Sequence, residues 1–150
     1  MEAELDDIDR ALIIALQLDG RRTYAELGEQ VGLSAGGARL RVLRLEERGV
    51  LQVVGVTDPL LLGYDRMAML VVTVQGDARE IADRISALDG VIYLVLGSGP
   101  FDLLVEVLAP DADALYEIIN GGVRGVPGVV SVQTFDYHSI HTHRFIWRPR

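Results

Sequence analysis

Residues 23–49 read TYAELGEQVGLSAGGARLRVLRLEERG, and this stretch decides the N-terminal fold. Thr23 and Glu26 stand at capping-box spacing, where a hydroxyl and a carboxylate each satisfy a backbone N–H left open at a helix start. The helix they open carries Ala25, Leu27 and Val31 and stops at Gly32, a residue type that turns left-handed without a Cβ penalty. Ser34 is an N-cap for the next helix, which runs to about Arg48 and ends at Gly49. Helix, tight glycine turn and helix is the connectivity of a helix-turn-helix. Upstream, Leu5, Ile8, Leu12 and Leu16 recur at helical spacing, with Asp6, Asp7 and Asp9 in the first turn, where the macrodipole favours negative charge. Asp19-Gly20 ends that first helix.

At about 100° per residue, the third helix gathers Ala35, Ala38, Val42 and Leu45 into an inner stripe and sets Arg41, Arg44 and Arg48 on the other side. Cationic side chains supply most non-specific affinity for nucleic acid, so a chain of net charge −8 meets DNA only through a local patch. Such a patch exists: all 14 basic residues are arginine, and Arg39, Arg41, Arg44 and Arg48 face only Glu46 and Glu47 within 34–48, a segment of net charge +2. The expected DNA contacts are Ser34, Arg39, Arg41 and Arg44, with Arg22, Thr23 and Tyr24 touching the backbone. Arginine can straddle a guanine edge or clamp a phosphate, and Leu40 and Leu43 can meet thymine methyls. Gly36 and Gly37 each cost roughly 1 kcal/mol against alanine in a helix, and they permit close approach. The bland alternative is a solvated basic face.

Residues 50–56 are rich in β-branched types and are expected to form a short strand, broken by Thr57-Asp58-Pro59. Beyond them strand and helix alternate. Met67 to Val74, Val91 to Leu96, Phe101 to Leu108 and Val129 to Ile140 read as strands. Ala78 to Leu88 and a helix capped by Asp111 and bearing Leu115, Ile118 and Ile119 lie between them. Asp89-Gly90-Val91 is echoed by Pro127-Gly128-Val129, each standing between a helix and the next strand. The order βαββαβ is the ferredoxin-like arrangement, so the fold class is α+β. Met67 to Val74 is apolar on both sides, which predicts that a second subunit covers the open face of the sheet. The expected division is 1–50 for the helix-turn-helix, 51–66 for strand and linker, and 67–150 for the βαββαβ domain.

Several classes are excluded or disfavoured. Cysteine is absent, which removes disulfides and thiolate chemistry. No apolar run is long enough to span a bilayer, and the N-terminus opens on acidic residues, so no export and a cytoplasmic location are expected. Gly97-x-Gly99 leads into a strand and lacks a third glycine, so it is no dinucleotide fingerprint. No nucleophile or acid/base pair stands at recognisable spacing, and an enzyme is not expected. His138, His141 and His143 lack a clear partner, and no metal or other cofactor is assigned. Phe145 and Trp147, among Arg144, Arg148 and Arg150, form a tail able to dock on a neighbouring subunit or to stay disordered.

The whole pattern resembles the Lrp/AsnC family of bacterial and archaeal feast/famine regulators. The residues that carry the likeness are 5–10 (LDDIDR), Tyr24 to Leu27, Val31 to Ser34, Arg44 to Glu46 with Gly49-Val50, Gly99 with Phe101 and Asp102, and Val126 to Val129. The resemblance implies a winged-type helix-turn-helix joined to an ACT-like (RAM-type) sensing domain, assembly into dimers and often octamers, and control of amino-acid metabolism. Gly36, Gly37, Leu40 and Leu43 depart from it, since better helix formers and polar residues are usual there. Residues 97–102 (GSGPFD) then read as an effector loop. Backbone N–H groups at Gly97, Ser98 and Gly99 can meet a carboxylate beside Phe101, and Asp102 can meet an α-ammonium, as an amino acid requires. The bland reading is a hairpin loop whose aspartate caps a backbone amide. The resemblance adds Thr134, Phe135, Asp136 and Tyr137 of the final strand, with the effector between paired domains. The expected function is effector-modulated transcriptional regulation on double-stranded DNA, with an architectural DNA-coating protein as the alternative.

Overall fold

The computed structural model describes residues 5–142, which fall into two units, 5–56 with 142, and 57–141.

The first unit is three helices: α1 (Asp7–Leu18), α2 (Tyr24–Val31) and α3 (Ala35–Glu47). Each begins at a side chain that accepts a first-turn N–H: Asp6 from Asp9, Thr23 from Glu26, and Ser34 from Gly37. Gly32 at φ 71° and Gly49 at φ 67° end α2 and α3 in the left-handed region. The core comes from all three helices: Leu12, Ala15 and Leu16, then Leu27, then Ala38 and Val42. Gly28 explains the tight turn, because a Cβ there would stand 2.5 Å from the Leu33 carbonyl oxygen. Two expectations fail. Ala35 is exposed, because it is the first residue of α3, almost a turn before the first buried one, Ala38. Residues 50–56 form no strand: strand-prone residues need a partner for their N–H and C=O groups, and no strand occurs among the described residues of this unit. Val53, Val54 and Val56 are left exposed.

The second unit contains β1 (Arg66–Val74), α4 (Ala78–Ser86), β2 (Val91–Leu96), β3 (Leu103–Ala109), α5 (Ala112–Glu117) and β4 (Val129–Asp136). The strands are antiparallel in the order β2-β3-β1-β4, which is the split βαβ topology the alternation predicts. One sheet face packs Ala68, Leu70, Val72, Leu103, Val105 and Val107 against Ile81, Ile85, Leu115 and Ile119 of the helical layer. The glycine echo proves structural. Gly90 and Gly128 both have positive φ, and a Cβ would meet Ile118 of the second helical segment in one case and Ile81 of α4 in the other. Each thus lets the opposite half's helix close onto the sheet.

The final strand stops at Asp136, short of the expected Ile140. The register pairs Ala68 with Asp136, the Tyr137 N–H reaches the Met67 carbonyl, and only Arg66 of β1 remains beyond that bond. Likewise β3 begins at Leu103, leaving Phe101 and Asp102 in the loop. His138 and His141 lie past β4 and not on it, while His143 and the tail 144–150 fall outside the described residues. Among the described residues of this unit no second layer covers the other sheet face. Met67, Met69 and Val71 alternate with the buried residues of β1 and are only half-buried, as are Leu104, Glu106 and Leu108 of β3. Among the described residues no helix is long and apolar enough to cross a membrane.

Candidate functional site

The outward side of α3 follows from its buried side. Counting about 100° per residue from the buried Ala38, Gly36, Leu40 and Leu43 lie within roughly 40° of the opposite direction, with Arg39 and Arg44 on the two flanks. Arg39, Leu40 and Arg44 are exposed and Leu43 is half-buried. Among the described residues nothing crowds Gly36, where a Cβ would be 3.9 Å from its nearest foreign atom, the Ser34 hydroxyl oxygen. That hydroxyl is committed to the cap, accepting the Gly37 N–H at 3.1 Å.

Arg41 corrects the sequence reading, which set it with Arg44 on the side facing DNA. Its Nη1 donates to Asp6 Oδ2 at 2.6 Å and to Asp9 Oδ1 at 2.8 Å. The reason is angular: Arg41 lies about 40° from the buried Leu45 and so flanks the core stripe on the α1 side. The backbone N–H of Asp9, and then Arg41, hold the Asp6 carboxyl below its ordinary pKa. Asp6 and Asp9 in turn raise that of the guanidinium. The sequence signal for these partners was the acidic first turn of α1, read only as a dipole effect.

At the start of α2 the capping box is complete. The Thr23 N–H donates to Glu26 Oε2 at 2.7 Å, the Thr23 hydroxyl donates to the same oxygen at 2.8 Å, and the Glu26 N–H returns to the hydroxyl at 3.3 Å. These bonds lower the Glu26 pKa, the Thr23 N–H contributing most. Arg22 is tethered to Gln30 at 2.6 Å, and Tyr24 is exposed beside it. Arg22, Thr23 and Tyr24 therefore form one surface at the first turn of α2.

In the second unit the loop expected to hold an effector is internally bonded. The Gly97 N–H donates to the Asp102 carbonyl at 2.7 Å, and the Asp102 N–H donates to Val72. Asp102 Oδ2 accepts the Val74 N–H at 2.7 Å, so this oxygen ties down the end of β1, as the bland reading has it. Phe101 lies across Gly97, where a Cβ would be 3.1 Å from the ring. Ser98 and Gly99 are exposed, with Gly99 at φ 137°.

Thr134, Phe135, Asp136 and Tyr137 pair with the opposite end of β1, at Leu70, Met69, Ala68 and Met67. These partners lie four to seven residues of strand, about 13–23 Å, from Val74, where Asp102 is bonded, so one protomer does not bring the loop and these residues together. On the open face the Tyr137 hydroxyl donates to Glu106 Oε1 at 2.7 Å. Burial, and then the Glu106 carboxylate, push the Tyr137 pKa up to about 12. Glu106 was missed in the sequence, although a charge between Leu104 and Leu108 on an alternating strand was its signal. Among the described residues no three His, Cys, Asp or Glu side chains gather as metal ligands.

Comparison with known proteins places both units. Residues 5–46 match the model of the AsnC-type helix-turn-helix domain, and residues 67–140 match that of the Lrp/AsnC ligand binding domain. The leucine-responsive regulatory protein of Salmonella typhimurium is 31% identical over 137 residues, covering 88% of this chain and 84% of that protein. The solved leucine response regulatory protein of Mycobacterium tuberculosis superposes with a TM-score of 0.87 at 27% identity, covering 97% of this chain and 100% of the other. A transcriptional regulator from Neisseria meningitidis, solved as its L-Met complex, superposes with a TM-score of 0.82 at 26% identity, covering 94% of each chain.

Proposed function

Because the chain belongs to the Lrp/AsnC family of helix-turn-helix transcriptional regulators, we propose that it reads duplex DNA with the outward face of α3 and senses an amino acid between paired copies of itself. The observation that carries the DNA reading is the face itself: an uncrowded Gly36 in line with an exposed Leu40, flanked by Arg39 and Arg44. A small apolar centre fits thymine methyls, and flanking guanidinium groups fit guanine edges or phosphates. Arg22, Thr23 and Tyr24 stand ready for the backbone.

Self-association is supported by the open sheet face, where Met67, Met69, Val71, Leu104 and Leu108 make an apolar surface that a second copy can cover. A second copy is also what can join residues 97–102 to Thr134, Phe135, Asp136 and Tyr137, which one chain holds apart. The amino-acid assignment draws support from the L-Met complex of the Neisseria relative. A DNA reader of this bacterial and archaeal family works in the cytoplasm, and a family of regulators points away from catalysis.

Two measurements test the reading. Duplexes selected by the chain from a random pool are titrated by fluorescence anisotropy: discrimination against scrambled duplexes supports the reading, and uniform binding favours an architectural coating protein. Light scattering after size exclusion, with and without each of the twenty amino acids, reports the assembly. A monomer under every condition refutes the paired-sensor proposal.

A further inference from the structure

We infer that Arg41, although it stands on the DNA-reading helix, acts as a positioning residue: clamped by Asp6 and Asp9, it fixes the roll of α3 against α1 and thereby aims Arg39, Leu40 and Arg44 at the duplex. The inference rests on α3 being the reading helix.

Three observations carry it. Asp9 is the single charged residue buried among the described residues, and a buried carboxylate that loses its cation is left uncompensated. The clamp joins residues 35 and 32 positions apart in the chain, so it is tertiary and not a helix-surface pair. Both carboxylates are themselves held. Asp6 spends Oδ1 on the Asp9 N–H at 2.8 Å and offers Oδ2 to Arg41, and Asp9 is rooted in the first turn of α1. The apolar cluster these helices share joins Leu12, Ala15 and Leu16 of α1 to Ala38 and Val42 of α3, contacts that carry no directional bond. A guanidinium pinned to two fixed oxygens sets the angle. A roll of only 10° displaces a side chain about 6 Å from the helix axis by about 1 Å, enough to misplace a bidentate base contact.

The test compares the full chain with Arg41→Ala, Arg41→Lys, Asp9→Asn, Arg41→Ala/Asp9→Asn and Arg44→Ala. Anisotropy titrations over a salt series use the duplex selected by the wild-type chain and a scrambled one. Arg41→Ala is expected to lose about tenfold for the selected duplex and little for the scrambled one, with an unchanged slope of log affinity against log salt. Arg41→Lys should recover part of that loss, and Arg41→Ala should add little once Asp9 is Asn. Arg44→Ala, removing a cation that faces DNA, should lower the slope by about 1 on both duplexes. A slope lowered by about 1 in Arg41→Ala, or intact discrimination, overturns the inference. Should Arg41→Ala unfold by circular dichroism, Asp6→Asn replaces it. Asparagine keeps the cap and drops the charge, so reduced discrimination supports the inference and unchanged discrimination overturns it. A wild-type chain that prefers no duplex overturns the DNA reading itself.

Discussion

Replacing Gly36 by alanine separates what α3 needs as a helix from what it needs as a reader of DNA. The position is helical, has no positive φ, and leaves an added Cβ 3.9 Å from the Ser34 hydroxyl oxygen, an ordinary contact. Inside a helix alanine is favoured over glycine by about 1 kcal/mol. In a first turn the gain is at or below that figure, which raises the melting temperature of so small a unit by up to about 9 °C. If the glycine serves close approach to a base edge, the same methyl group overpacks the interface at about 1–3 kcal/mol, a loss of roughly 5- to 150-fold in affinity. The expected result is therefore a variant that melts higher and binds its selected duplex more weakly. Thermal melting by circular dichroism and anisotropy titration at fixed salt give the two readings. A variant that melts higher and binds equally well or better refutes the reasoning, because Gly36 would then have no partner inside or outside the chain.

Gly90→Ala should destabilise the sensing unit by about 2 kcal/mol or more, since its φ is 85° and the Cβ would stand 2.8 Å from the Leu108 carbonyl oxygen; denaturant titration measures it. Asp6 and Glu26 are held below their ordinary values of 3.8 and 4.5. Their stabilisation is therefore full above those values and lost as the pH falls through the lower folded ones. The chain should lose melting temperature on acidification below about pH 4, and Asp6→Asn, which has no charge there to lose, should lose less. The Tyr137 phenol, raised to about 12, should ionise late in an ultraviolet pH titration, and Tyr137→Phe should abolish that step while Glu106→Gln brings it to lower pH.

What could be read from the sequence is what adjacent residues decide. Thr23 with Glu26, Ser34, Asp111 and Gly32 are caps whose partners lie within a turn, and the structure places each as its spacing predicts. The buried stripe of α3 and the βαββαβ order were legible for the same reason, because period and punctuation are local. Apart from Ala35, exposed because it stands at the start of α3, the failures share the opposite property. Residues 50–56 have strand chemistry and no strand beside them, and the end of β4 is set by where β1 begins. Arg41 is claimed by carboxylates more than thirty positions away. In each case a distant partner decided, and a helical wheel gives an angle without naming what stands there.

The Arg41 clamp also changes the charge argument with which the sequence began. The +2 of residues 34–48 counts an arginine already matched by Asp6 and Asp9, and adding those two acids brings the local balance to zero. The outward cations on α3 that flank Gly36 and Leu40 are Arg39 and Arg44, few for a chain whose remainder is strongly acidic. Phosphate contacts raise the logarithm of affinity in proportion to their number, so one copy has little to offer a duplex. Two linked copies that engage both half-sites of one operator turn the second contact into an intramolecular step, which multiplies affinity without new residues. With copies paired through the open sheet face as proposed, that face matters to DNA binding as much as to sensing. An amino acid that changes how copies pair then changes operator affinity without touching α3.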